Sequence, residues 1–136
     1  MHWNKAGDKL LTSSSDMVAR VWQIDAQGNV EISKVLPFNE CLMQSKFCDD
    51  AENLVATGGL MSQIYVWDCE TDHCKQVACF DHTTIDPDFK GLEIEWQNSK
   101  NVAVAGKSTF IYLWSIDKPS EPICRWEGHK EIVEQI

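Results

Sequence analysis

The chain has 136 residues, 43% of them hydrophobic and 24% charged, and a formal net charge of −9. That length holds one ordinary domain core, and that balance belongs to a folded globular chain, not a disordered one. No run reaches the ~18 to 20 apolar residues of a membrane span, and the acid surplus argues against gripping a phosphate backbone and in favour of basic partners.

The opening Met1-His2-Trp3-Asn4-Lys5 lacks the apolar stretch of a signal peptide. A nuclear or cytosolic setting is the expectation. There the six cysteines (Cys41, Cys48, Cys69, Cys74, Cys79 and Cys124) are expected to be reduced and to fill small apolar sites.

In chain order, Trp3-Asn4 is followed by turn chemistry at Lys5-Ala6-Gly7-Asp8, since Gly supplies positive φ and Asp bonds its own backbone. Leu10 to Ser14 reads as a strand, Ser15-Asp16-Met17 as a tight turn and Val18 to Gln23 as a strand ending in Trp22-Gln23. Gln27-Gly28-Asn29 is a hairpin turn, and Val30 to Leu36 a fourth strand ended by Pro37. A second unit repeats the order: Cys41 to Phe47, a polar turn at Asp49 to Asn53, Leu54 to Thr57, Gln63 to Asp68 and Lys75 to Phe80. A third gives Leu92 to Trp96, Val102 to Ala105, Phe110 to Ile116 and Pro122 to Trp126. Ile132-Val133-Glu134-Gln135-Ile136 reads as the start of a fourth.

Three β-branched and aromatic strands carry Trp22, Trp67 and Trp114, which are 45 and 47 residues apart. That period is the mark of repeated four-stranded units. The register agrees internally. An aromatic on the first strand (Trp3, Phe47, Trp96) precedes the matching tryptophan by 19, 20 and 18 residues. An apolar entry to the second strand (Leu10, Leu54, Val102) follows that aromatic by 7, 7 and 6. No stretch holds a helical period, so the chain is expected to be all-β.

Trp67-Asp68, Gly128-His129 and the turn Ser14-x-Asp16 before Trp22 resemble the signatures of WD-repeat proteins. The resemblance covers the whole chain and implies a partial β-propeller of about three four-stranded blades. It implies blades at 1–38, 39–81 and 82–128 and the start of another at 129–136, in a fragment of a longer chain. Within that superfamily the chain is similar to the transducin β-like subunits of nuclear corepressor complexes. The residues carrying this are Trp3-Asn4-x-x-Gly7, Ala19 to Trp22 with Gly28-Asn29, Leu92 to Gln97, and Pro122-Ile123 running into Glu127-Gly128-His129.

The resemblance implies structural positions at Asp16, Trp22, Trp67, Asp68, His82, Trp114 and His129. In the family, a His, a second-strand Ser or Thr, a turn Asp and the strand Trp form a buried hydrogen-bonded tetrad. The first unit offers Ser14, Asp16 and Trp22. The second carries Phe38 and Leu60-Met61 in place of His and Asp, so its network is expected to be apolar, with Trp67 a packing residue. The third has His82 but Ser108 at the Asp position.

The connection after His82 is longer than the family spacing. Its extra residues, within Thr83 to Lys90, include two carboxylates and a phenylalanine expected to be exposed. The bland reading is a surface loop lengthened at little cost. Candidate partner contacts are Ser15, Glu40, Asp86, Asp88, Phe89 and Lys107.

Cys69-x4-Cys74-x4-Cys79-x2-His82, with His73 inside it, has the residue types for zinc. The alternating strand sends these side chains to opposite faces, so neither metal nor cofactor is expected. Ser13 to Ser15 with Asp16 lack a nucleophile elbow, and no Gly-rich phosphate loop occurs, so the chain is read as non-enzymatic, with no small-molecule substrate. The expected partners are other proteins, including complex subunits and basic peptides such as histone tails. Sequence-specific nucleic acid and membrane are not among them. A nuclear corepressor or chromatin role is expected; the alternative is a cytoplasmic scaffold in trafficking, cytoskeletal or ubiquitin-ligase assembly.

Overall fold

A computed structural model describes residues 1–133 and 136. The described residues form twelve strands in three four-stranded antiparallel sheets. The first sheet is β1 (His2–Trp3), β2 (Lys9–Ser13), β3 (Val18–Ile24) and β4 (Val30–Pro37), hydrogen-bonded in that order. The second is β5 (Leu42–Cys48), β6 (Ala51–Gly59), β7 (Gln63–Asp68) and β8 (Lys75–Asp81). The third is β9 (Gly91–Trp96), β10 (Asn101–Gly106), β11 (Phe110–Ser115) and β12 (Cys124–Glu127). This is the all-β, partial-propeller architecture that the tryptophan period implies.

The internal register is visible as rows running across each sheet. Trp3 pairs Leu10, which pairs Trp22. Phe47 pairs Val55, which pairs Trp67. Trp96 pairs Val102, which pairs Trp114. In the second sheet Val55, not Leu54, holds the middle place. The polar turn there shrinks to Asp49-Asp50, because Ala51 already pairs with Cys48.

Successive sheets share cores. One cluster joins the first and second sheets through Leu11, Val21, Leu36, Leu42, Phe47 and Val55. A second and larger one joins the second and third through Ile64, Val66, Phe80, Phe89, Ile94 and Trp114. The close approach of the latter pair needs bare backbone. A Cβ on Gly91 would lie 2.2 Å from Ile64 Cδ1, and one on Gly58 would lie 3.1 Å from the Gly91 carbonyl. Polar links cross the same seam: Gln44 Nε2 donates to Glu93 Oε1 at 2.5 Å, Trp96 Nε1 donates to the Lys46 carbonyl at 3.2 Å, and Lys46 pairs with both Glu93 and Glu95.

The reduced-thiol expectation fails at one pair. Cys69 and Cys74 flank the β7–β8 turn with Cα atoms 4.1 Å apart and are joined by a disulfide. The hairpin places them side by side just beyond the Asp68–Lys75 pair, so register decides their state. That bond also removes both thiols from any metal set. Cys41, Cys48, Cys79 and Cys124 remain free.

Of the expected fourth unit, Val133 is buried and donates its N–H to the Ser108 carbonyl at 3.1 Å. Glu134 and Gln135 lie outside the described residues.

A candidate partner-binding end of the sheets

Antiparallel order places five kinds of segment at one end: the β2–β3 turn, the β4–β5 connection, the β6–β7 turn, the β8–β9 connection and the β10–β11 turn. Backbone bonds that continue the β3–β4 and β7–β8 ladders tie neighbouring segments together. Phe38 N donates to the Met17 carbonyl at 2.9 Å and His82 N to the Ser62 carbonyl at 2.8 Å, the same bond one sheet on. Phe38 and His82 are therefore structural counterparts. All six residues singled out as candidate contacts belong to these segments.

They divide by exposure. Ser15, Asp88 and Lys107 are exposed. Asp86 is half-buried and accepts a bond from Tyr112 Oη at 3.1 Å. Glu40 is also half-buried, and its Oε2 accepts the Met61 N–H at 2.6 Å. Burial raises the Glu40 pKa, opposed by the Met61 and Leu60 amides and by Lys90.

Phe89 is the correction: it is fully buried, stacked on His82 with ring centroids 4.0 Å apart and edge-on to Tyr112 at 5.8 Å. The long connection folds back on itself, with Ile85 and Asp86 N–H groups bonded to the His82 carbonyl and Phe89 N to the Asp86 carbonyl. Ser62 Oγ then pins the Pro87 and Phe89 carbonyls at 3.1 and 3.0 Å. An apolar ring at the base of a compact turn gains more from the core than from water, so Phe89 is no surface contact.

The tetrad positions are arranged differently in each sheet. In the first, Trp22 Nε1 donates to Thr12 Oγ1 at 2.9 Å, so Thr12 and not Ser14 is the hydroxyl partner. Ser14 Oγ instead accepts the Asp16 N–H, while Asp16 pairs with Arg20 at 2.8 Å. In the second, Trp67 Nε1 donates to Thr57 Oγ1 at 3.2 Å, so this unit keeps a polar contact where an apolar network was expected. Met61 and Leu60 are exposed, not buried in place of an Asp. Asp68 accepts bonds from Asn53 Nδ2 and Glu70 N, which hold its pKa low.

In the third sheet the row occupied by Thr12 and Thr57 holds Val104, and Trp114 Nε1 donates straight to His82 Nε2 at 3.1 Å. His82 is therefore neutral with its proton on Nδ1, which faces the Ser62 carbonyl at 3.3 Å. Burial pushes its pKa down to about 4. Ser108 Oγ accepts the Phe110 N–H. His129, exposed beyond β12, joins none of these groups.

Trp67 is only half-buried, edge-on to Phe38 at 5.2 Å, whereas Trp114 is 1% exposed and stacked on Phe80. Beside Trp67 the surface opens into a groove of about 360 Å³, lined by Phe38, Asn39, Glu40, Met61, Tyr65 and Trp67 among others. Sequence reasoning missed it. Its signal was present in the short connection between Phe38 and Leu42, which has no residues to fold over the aromatic wall.

Comparison with protein families returns no matching family. Among curated proteins the chain is similar to mouse jouberin, 30% identical over 135 residues that cover 87% of this chain and 13% of the relative. It is 25% identical over its whole length to the mouse F-box-like/WD repeat-containing protein TBL1X, covering 24% of it. It is 24% identical to THO complex subunit 3 of Arabidopsis thaliana, over 97% of this chain and 40% of that protein. The chain thus spans less than half the length of these relatives. Three consecutive four-stranded sheets in tryptophan register form a partial β-propeller, and this likeness supports the WD-repeat superfamily as the one the chain resembles.

Proposed function

We propose that the chain is a non-catalytic scaffold that docks other proteins through the loop end of its sheets, within a nuclear corepressor or chromatin-associated assembly that takes basic peptides such as histone tails. The observation that carries this reading is the division of labour at that end. His82, the one buried imidazole, is spent as a neutral acceptor for Trp114. Asp88, Asp86 and Glu40 meanwhile stand at or near the surface of a chain of net charge −9. Rigid sheets presenting carboxylates suit Lys/Arg-rich segments. The similarity to an F-box-like/WD repeat-containing protein and to a subunit of the THO complex supports assembly with other proteins. Propellers host many functions, so the site and not the fold must carry the test.

That test is a pull-down and titration with histone-tail peptides. Asp86→Lys/Asp88→Lys is expected to weaken binding at least tenfold. Unchanged affinity in this double variant removes the 83–90 loop from the account.

A further inference from the structure

We infer that the groove beside Trp67 is a docking site for a phenylalanine side chain presented by an extended segment of a partner protein. The template for the occupant is within the molecule. In the third sheet, Phe89 lies seven residues before Trp96 and packs its ring on His82 and Tyr112. In the second sheet the residue seven before Phe47 is Glu40. The counterparts of His82 and Tyr112 are Phe38, which makes the same backbone bond to the preceding sheet, and Tyr65, two residues before the strand tryptophan. Phe38, Tyr65 and Glu40 all line the groove.

The second sheet thus builds the same aromatic seat and leaves out the plug. The Glu40 carboxylate is turned to the Met61 amide, away from the role Phe89 plays. Phe38 offers ring faces and edges to a guest, since it lies tilted to Tyr65 at 6.1 Å and edge-on to Trp67 at 5.2 Å. A guest ring gains offset or edge contacts of the kind Phe89 makes. The rim supplies Asn39 and Gln76 for the backbone of an incoming segment. Met61, 56% exposed, forms an adaptable wall of the kind that suits a range of flanking residues. This site goes beyond the basic-peptide reading, because its guest is apolar and its seat lies in a different connection from the 83–90 loop.

The experiment uses the full chain and two capped pentapeptides, Ac-Gly-Gly-Phe-Gly-Gly-NH2 and the same peptide with alanine at the centre. The readout is the indole N–H resonance of Trp67 in a nitrogen-15 spectrum. The phenylalanine peptide is expected to shift it saturably, with a midpoint on the order of millimolar for one side chain, and the alanine peptide to leave it in place. Glu40→Phe, which supplies the missing plug from within, is expected to abolish the shift. Met61→Ala, at an exposed wall position, is expected to weaken it several-fold and serves if Glu40→Phe does not fold. Equal shifts with both peptides, or a full response in folded Glu40→Phe or in Met61→Ala, overturn the proposal. A histone-tail peptide without aromatic residues forms a separate arm. Its failure to bind, with the phenylalanine response intact, removes only the earlier reading.

Discussion

His82 shows how one side chain can be fixed by its neighbours. Its ring is enclosed by Phe89, Tyr112 and Trp114, and Nε2 takes the Trp114 proton donor. The folded state therefore resists protonation. Its pKa of about 4 lies below the ordinary 6.5, so the unfolded chain binds the proton first as pH falls. Stability from this group is present above pH 6.5 and is lost between about 6.5 and 4, amounting to on the order of 3 kcal/mol. Denaturant titrations at pH 7 and 4.5 are expected to show this loss, and His82→Phe to flatten that part of the pH dependence. The tryptophans separate by the same logic of enclosure. Trp114→Ala is expected to cost about 3–5 kcal/mol, because it empties a fully buried site. Trp67→Ala is expected to cost less, because that ring is half-solvated at the groove. Equal losses in urea titrations would show that the two sites are equally enclosed.

At the scale of elements, the seams between sheets matter more than any strand alone. Gly106 ends β10 at a bulge opposite Gly91 of β9, and a Cβ there would lie 1.6 Å from the carbonyl of Lys90, the residue before β9. Backbone cannot yield as a side-chain tip can, so Gly106→Ala is expected to destabilise by on the order of 3 kcal/mol. Thermal melts check this, and they should place Gly106→Ala well below Gly58→Ala, whose nearest obstacle is the flexible end of Ile64. The elements themselves were legible in the sequence. Alternating apolar residues, turn glycines and Pro37 mark ten of the strands to within a residue or two. β6 is longer than expected because Ala51, a polar-turn residue by composition, is recruited by pairing with Cys48 of β5, and the Asn53 carbonyl accepts the Cys69 N–H just beyond β7 at 2.8 Å. The fold-back of 82–90 was not legible, since it depends on Ser62 reaching two carbonyls from another sheet.

For the whole molecule, the acid surplus sets how partners arrive. Binding of a Lys/Arg-rich peptide to a chain of net charge −9 is expected to weaken several-fold between 50 and about 300 mM salt, as screening shortens the reach of surface charge. The phenylalanine response at the groove is expected to change little over the same range, because apolar burial carries no charge to screen. Isothermal titration across a salt series measures both.

The sequence by itself determined the β class, the period of the units and the rows that join Trp3, Leu10 and Trp22 or Trp96, Val102 and Trp114, because strand alternation and turn chemistry are local. It also marked which connections meet at the end proposed for partner binding. Only the tertiary structure decided which aromatic is core and which is surface. Phe89, expected at the surface, is fully buried, while Trp67 packs against the core as expected but stays only half-buried, since burial depends on what the neighbouring sheet supplies. It likewise decided that Cys69 and Cys74 meet, that His82 bonds Trp114 in the absence of a threonine, and that one aromatic seat is filled while its counterpart stands open. Each of these is a contact between residues far apart in the chain or on facing elements, which no local pattern specifies.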